Sequence, residues 1–402
     1  MISPTTSIVI VGGGSGGTIS ANLLAKQLRN EIHAGKVKLY LVSGTKTHIF
    51  QPAYLHVAFE NQNINSIVRD EVTLLKKEVQ LVSHDAERLD LAKQEVTLKS
   101  GEKIEYQYLI IATGSVTNPD AIPGLKETSL NYHTSPEDSR KIWNAIEQFK
   151  EGHVVVGIAG VPYKCPPSPN EAAFLIDDYF RGRGIRDRVK ITFLTPYPRP
   201  YPAETMSKVV EPRFQKRGIE VVSFFNVESV DPAKHVIYSL EGESLSYDLL
   251  IMVPPHRGAD VILNSGIGDA DGWIPTDKNT MKIRGYENAY AIGDATDIPI
   301  SKTGVTAHLE AIVAAKNIVS SVRDKGQVYR YNGRINCPFE MGSGQASFVV
   351  GSYDMPVKEV QPSRIRYIMK KAFAGFYWRT LSGGWDWIFN VYFGKTHDVV
   401  PS

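Results

Sequence analysis

A strand that runs straight into Gly-x-Gly-x-x-Gly and then into a helix leaves a chain few folds to choose from. Residues 7–28, SIVIVGGGSGGTISANLLAKQL, have that order: β-branched Ile8–Val11, glycines at 12, 14 and 17, then apolar residues near a 3.6-residue period. Gly12 permits the tight turn, Gly14 lets a pyrophosphate approach the backbone, and Gly17 lets the helix pack close to the strand. The phosphates then sit at the positive N-terminus of the helix. The glycine spacing alone is common in loops; between a strand and a helix it marks a dinucleotide site.

The same rhythm continues through KVKLYLVSG and QYLIIATGS, and starts again at HVVVGIAG, followed by VKITFLTPYP and GIEVVSFF. Short apolar strands alternating with helical patterns predict parallel sheets covered on both faces. The strands in SYDLLIMVPP and NAYAIGDAT are expected to return to the first domain. The predicted class is α/β, with two Rossmann-like dinucleotide-binding domains and a C-terminal membrane-binding region. The expected division is 1–118, 119–245, 246–320 (returning to the first domain) and 321–402, the last being where the βα rhythm stops.

Composition narrows the function classes. At 42% hydrophobic and 22% charged residues, the 402-residue chain is neither disordered, collagen-like nor a coiled coil. A formal net charge of +2 gives no global pull toward nucleic acid. Two cysteines cannot build a disulfide framework or supply four ligands to a structural metal. They read as buried thiols, one structural disulfide, or a redox pair. The N-terminus shows no basic region or cleavage site of a signal peptide, and no window holds 18 uninterrupted apolar residues.

The second strand ends in Ser43 instead of the acid that usually meets the adenosine ribose; a serine hydroxyl still bonds a ribose, without charge assistance. Further on, Gly293-Asp294 ends an apolar strand, and Thr113-Gly114 ends another. This combination resembles the two-dinucleotide-binding-domain flavoproteins of the disulfide reductase-like superfamily. The resemblance implies FAD, with Asp294 against the ribityl chain. It also implies cofactor contacts from Gly12, Gly14, Gly17, Ser43, Pro52, Ala86, Thr113, Gly114, Gly293, Lys302, Thr303 and Gly304. Lys302 reads equally as a solvated loop lysine.

The second turn departs from the pattern. Gly157 is followed by Ala159 where glycine is needed, and by Pro162, which removes a backbone donor and crowds the start of a helix. The next strand ends in Thr195-Pro196 with no acid. Pyridine nucleotide binding is therefore not expected there. In its place stands GVPYKCPPSPNE, with Cys165, and far downstream INCPFEMGSG, with Cys337. Together with FQPAY (50–54) and SKTG (301–304), these segments resemble the sulfide:quinone oxidoreductases over nearly the whole chain.

That resemblance implies a cycle in which sulfide attacks a sulfur bridge between Cys165 and Cys337. Cys337 is the candidate to reduce the flavin, and sulfur leaves as polysulfide. Glu171 is implied as the acid/base, although a first-turn glutamate also suits a helix dipole. A helix starting near Asn170 would lower a thiol pKa, as would Lys164 beside Cys165 unless these adjacent side chains diverge. His133 reads either as a proton-handling residue or as a satisfied core histidine. With only two cysteines, FAD is expected to be held without a covalent bond through sulfur.

The stretch SRIRYIMKKAFAGFY (363–377) projects as a basic amphipathic helix. Ile365, Ile368, Met369, Ala372, Phe373 and Phe376 fall on one side, and Arg364, Arg366, Lys370 and Lys371 on the other. Eight aromatics follow within FYWRTLSGGWDWIFNVYF (376–393). Such a tail reads as a peripheral membrane anchor beside a quinone site, on a membrane face the sequence leaves open. The expected partners are sulfide, a quinone and a membrane surface, with no nucleic acid and a homo-oligomer as an option. The alternatives are a type II NADH:quinone oxidoreductase, a flavocytochrome-type sulfide dehydrogenase flavin subunit, and a non-catalytic FAD-binding protein with a structural disulfide.

Overall fold

The computed structural model describes residues 5–384 and 397–401. Two parallel sheets organise the chain. In the first, the strand Thr6–Val11 pairs on one side with Val37–Val42 and then Gln80–Val82, and on the other with Tyr108–Ile111 and then Ala289–Ala291. Alternation along Thr6–Val11 feeds two cores: Ile8 and Ile10 pack on one face, Val9 and Val11 on the other. This two-sided burial is why these strands are unbroken apolar runs.

In the second sheet, Gly152–Ile158 lies between Val189–Leu194 and Leu249–Val253, with Ile219–Val222 at the edge. The strand in SYDLLIMVPP thus joins the second sheet, correcting the expectation that it returns to the first. Val154 pairs with Leu249 through Ile158 with Val253. Ordinary βα patterning gives a strand's character but not its partner, because both sheets accept the same apolar run. NAYAIGDAT does return, pairing Ala289–Ala291 with Leu109–Ile111.

After the 19-residue helix Gly304–Val322 comes an antiparallel hairpin of Ile335–Glu340 and Ala346–Gly351, which carries Cys337. Ile335, Phe339 and Val349 enter the core of the second sheet, as do Leu55, Ala58 and Phe59 of the short helix Tyr54–Glu60. The helix Arg364–Thr380 then crosses back. Its Tyr377 and the following Leu381 bury in the core of the first sheet, and Asn22 donates to the Leu381 carbonyl at 2.8 Å.

The projection of that last helix needs correcting. Lys370 and Lys371 turn inward, where each pairs with carboxylates. The outward face carries Ile365, Ile368 and Phe376, 72%, 65% and 42% exposed, beside exposed Arg364 and Arg379. Periodicity located the stripe but not its direction. Of the aromatic stretch 376–393, residues 385–393 lie outside the described residues.

Gly157 owes its identity to the sheet. A Cβ there would meet the Leu194 carbonyl oxygen at 2.1 Å, a backbone atom that cannot rotate away. Gly157→Ala is expected to lower stability by about 1–3 kcal/mol, the usual range for overpacking, read as an earlier midpoint in urea. An unchanged midpoint would show that the two strands separate freely.

Candidate functional site

The carboxyl ends of both sheets open into one cavity, where ligands bind in such folds. It runs from Gly12–Gly16 past Thr113–Ser115, Gly293-Asp294 and Lys302–Val305 to Cys165, Glu171 and Cys337. The glycine turn behaves as its spacing requires. A Cβ at Gly17 would lie 1.8 Å from the Gly12 carbonyl oxygen, so helix and strand touch there. At Gly14 nothing lies within 4 Å, leaving the backbone open to a pyrophosphate.

Opposite, Thr303 caps the helix Gly304–Val322 by accepting from the Thr306 amide, so the positive end of a long helix dipole also faces the cavity. Asp294 lines it and accepts from Ser115 Oγ at 3.4 Å. These features fit an FAD. Pro52 lines the cavity as well, from the turn Gln51–Ala53.

Two expected contacts fall elsewhere. Ala86 starts a strand of a separate antiparallel sheet with Leu98 opposite it, and it does not line the cavity. Ser43 sits behind Gly13 and donates to the Thr45 carbonyl at 2.9 Å, so its hydroxyl serves its own loop.

Lys302 is no solvated lysine. It donates to the Asp294 and Thr296 carbonyls at 3.1 and 2.6 Å and lies over the Trp273 ring, while burial lowers its pKa. The Lys302 carbonyl in turn accepts from the Cys165 amide at 2.8 Å. That bond pins a cysteine in a left-handed conformation, φ +57°, uncommon without glycine. The helix beyond begins at Ser168, two residues earlier than expected, and the Ser168 amide donates to the Cys165 carbonyl. No helix N-terminus directly follows the strand Gly152–Ile158; residues 159–167 intervene and present Cys165 instead.

Cys165 and Cys337 stand beside each other as free thiols, not a disulfide, and Cys337 Sγ donates to the Pro338 carbonyl at 3.7 Å. The adjacent Cys337 thiol, then burial, pushes the Cys165 pKa well above the ordinary thiol value. This reverses the expected lowering by Lys164 or the helix. Lys164 donates instead to Gln51 Oε1 at 3.0 Å. The cation whose charge favours the thiolate comes from the C-terminal helix: Lys370.

Glu171 is buried in the first turn of its helix and lines the cavity. Its Oε1 accepts from Lys370 Nζ and from the Glu340 amide, both at 2.6 Å. His133 is also buried, with Nε2 2.7 Å from Ser168 Oγ and Nδ1 3.4 Å from His256 Nε2. Burial lowers both histidine pKa values, that of His256 to about 3, so both rings are neutral. The contact of His256 Nδ1 with the Pro254 carbonyl fixes its tautomer: Nδ1 carries the proton and Nε2 accepts from His133.

Several participants carried no clear sequence signal. Tyr377 OH bridges His48 Nε2 at 2.7 Å and Ser15 Oγ, inside the glycine turn, at 2.6 Å; His48 in turn meets buried Glu71. Glu310 did leave a trace, as a lone acid in the apolar helix segment GVTAHLEAIVAA. Its Oε2 accepts from the Gly293 amide, and burial raises its pKa to about 8. A carboxyl raised in the folded state contributes stability that is full below its unfolded pKa of 4.5 and is lost as pH rises toward 8. Glu310→Gln keeps an acceptor and cannot ionise. Between these pH values, wild type should lose melting temperature relative to Glu310→Gln. Parallel curves would place the Glu310 pKa near the ordinary value.

Residues 6–317 match the family model described as pyridine nucleotide-disulphide oxidoreductase. The sulfide:quinone oxidoreductase of mouse mitochondria is 26% identical over 94% of this chain and 86% of its own length. The mitochondrial enzyme of that name from Dictyostelium discoideum is 27% identical over 94% and 87%. The crystal structure of the sulfide:quinone oxidoreductase from Aquifex aeolicus superposes with a TM-score of 0.88 at 24% identity, over 99% of this chain and 97% of that one. The chain belongs to the pyridine nucleotide-disulphide oxidoreductase family.

Proposed function

We propose that this chain oxidises sulfide to polysulfide and delivers the electrons to a membrane quinone. The observation that carries the reading is the Cys165–Cys337 thiol pair inside the cavity of the dinucleotide turn, where an NADH site would need an open glycine turn. FAD, held by the glycine turn, Asp294 and the loop Lys302–Gly304, supplies a two-electron acceptor between sulfide and quinone.

The chain's own residues manage sulfur and protons. HS⁻ cleaves a bridge between the two cysteine sulfurs, leaving one persulfide and one thiolate. The persulfide proton passes to the Glu171 carboxylate. As two electrons leave, the persulfide and thiolate sulfurs bond to each other, and the bridge is one sulfur longer. Lys370, beside Glu171, offsets the negative charge that gathers during this step. Ser168, tied to neutral His133, keeps the start of the helix Ser168–Gly182 in place, just after Cys165.

For the quinone, Phe373, Ala374 and Tyr377 line the far end of the cavity from a helix whose opposite face exposes Ile365, Ile368 and Phe376. An outward face of large apolar side chains flanked by exposed Arg364 and Arg379, on a helix that lines the cavity, suits seating in a bilayer interface. Among the described residues no helix is long and apolar enough to cross a membrane.

Under anaerobic conditions sulfide should bleach the bound FAD and NADH should not. Cys337→Ser should retain FAD and slow bleaching by at least about 100-fold, as expected when a covalent sulfur carrier is lost. Bleaching by NADH alone would overturn the reading. Replacing Ile368 and Phe376 together by Glu should abolish flotation with lipid vesicles while leaving bleaching by sulfide intact. Undiminished flotation would move the membrane contact to another surface.

A further inference from the structure

Glu171 and Lys370 continue into a second set of charges that the sulfur chemistry above does not use. Glu340 ends the strand that carries Cys337, three residues beyond it, and its side chain is 1% exposed. Neither carboxylate oxygen accepts a hydrogen bond, which is costly for a buried carboxylate unless charges stand nearby. Its Oε1 instead has three partners at longer range: Lys370 Nζ at 3.4 Å, Lys371 Nζ at 3.7 Å and His56 Nε2 at 3.7 Å. On its far side, His56 Nδ1 meets Glu60 Oε2 at 2.9 Å, and Lys371 Nζ meets the same oxygen at 3.1 Å. Glu60 and Lys371 are about one-third exposed, at 35% and 37%.

From these positions we propose that Glu340, His56 and Glu60 form a proton exit that carries the proton released by sulfide from Glu171 and Lys370 to the protein surface. The inference rests on the sulfide reading above and deepens it. Each atom in the sequence Glu171 Oε1, Lys370 Nζ, Glu340 Oε1, His56 Nε2, His56 Nδ1, Glu60 Oε2 faces the next. The gaps of 3.4 and 3.7 Å close to hydrogen-bond length by side-chain rotation, a fast motion. Lys370 donates a proton to Glu340 and recovers one from Glu171. His56 accepts at Nε2 and releases from Nδ1, so no net charge stays in the interior.

The terminus suits release. Burial favours protonated Glu60, but the hydrogen bond from His56 and the charge of Lys371 win, holding its pKa at about 2. A proton arriving there passes on to water. The same geometry explains a buried carboxylate without hydrogen bonds: Glu340 is held among Lys370, Lys371 and His56 and fully engaged by none of them. A purely structural carboxylate would gain by closing on Lys370, as Glu171 does at 2.6 Å.

The test follows FAD bleaching by sulfide in rapid mixing, in light and heavy water, for wild type, Glu340→Gln and His56→Ala. Both variants should keep their FAD and bleach at least about ten-fold more slowly, the lower end of the effect of a proton-transfer group. Their solvent isotope effects should be larger, and added imidazole should restore His56→Ala. Wild-type rates and isotope effects in both variants would overturn the relay while leaving sulfide oxidation standing. Slow variants with an unchanged isotope effect and no rescue would assign these residues a structural role and overturn it equally. If wild-type FAD resists sulfide, the parent reading fails instead. Infrared difference spectra on photoreduction of the FAD then decide. A carboxyl band that disappears in Glu340→Gln supports the relay, and identical spectra overturn it.

Discussion

One ammonium group joins the pieces of this molecule that matter for its chemistry. Lys370, on the C-terminal helix, sits 2.6 Å from Glu171 on the helix after Cys165 and 3.4 Å from Glu340 on the strand of Cys337. Burial works against its charge, yet the two carboxylates outweigh it and raise its pKa. Such a pair is a weak source of net stability, but removing one partner strands a buried charge at a cost of about 3–5 kcal/mol. The three segments are therefore held in mutual register by a contact none can abandon. That register places the two thiols side by side and brings the C-terminal helix over the cavity.

The second constraint is local. In the first domain, glycine at 12, 14 and 17 brings the helix close to the strand and leaves the backbone open. In the second, the corresponding stretch is a loop that fixes Cys165 in a left-handed conformation, pinned to the Lys302 carbonyl. The same architecture serves as a dinucleotide cradle once and as a cysteine mount the second time. The high thiol pKa of Cys165 reports the reduced pair, raised by the neighbouring Cys337 thiol and by burial. Lys370, whose charge favours the thiolate, stands ready to stabilise it.

Much of this could be read in the chain. The first glycine turn, the departure of the second from that pattern, and the cysteine in its place follow from local residue chemistry, which neighbours in sequence decide. The direction of the C-terminal helix could not be read that way. Its apolar and basic stripes were visible, but whether Lys370 and Lys371 face water or protein depends on Glu171, Glu340 and Glu60, 199, 30 and 311 residues away along the chain for the pairs concerned. The sheet joined by Leu249–Val253 was illegible for the same reason: an apolar parallel strand fits either sheet. Ser43 and Ala86 were carried by analogy to a cofactor edge, and the structure gives Ser43 a partner in its own loop and Ala86 a place in another sheet.

The central claim is that Cys165 and Cys337 carry sulfur between them. Mass spectrometry of protein quenched by alkylation during reaction with sulfide tests it most directly. The account predicts peptides of Cys165 and Cys337 bearing one or more extra sulfur atoms, some bridged to each other. Both cysteines recovered as plainly alkylated thiols, while sulfide bleaches the flavin, would contradict it.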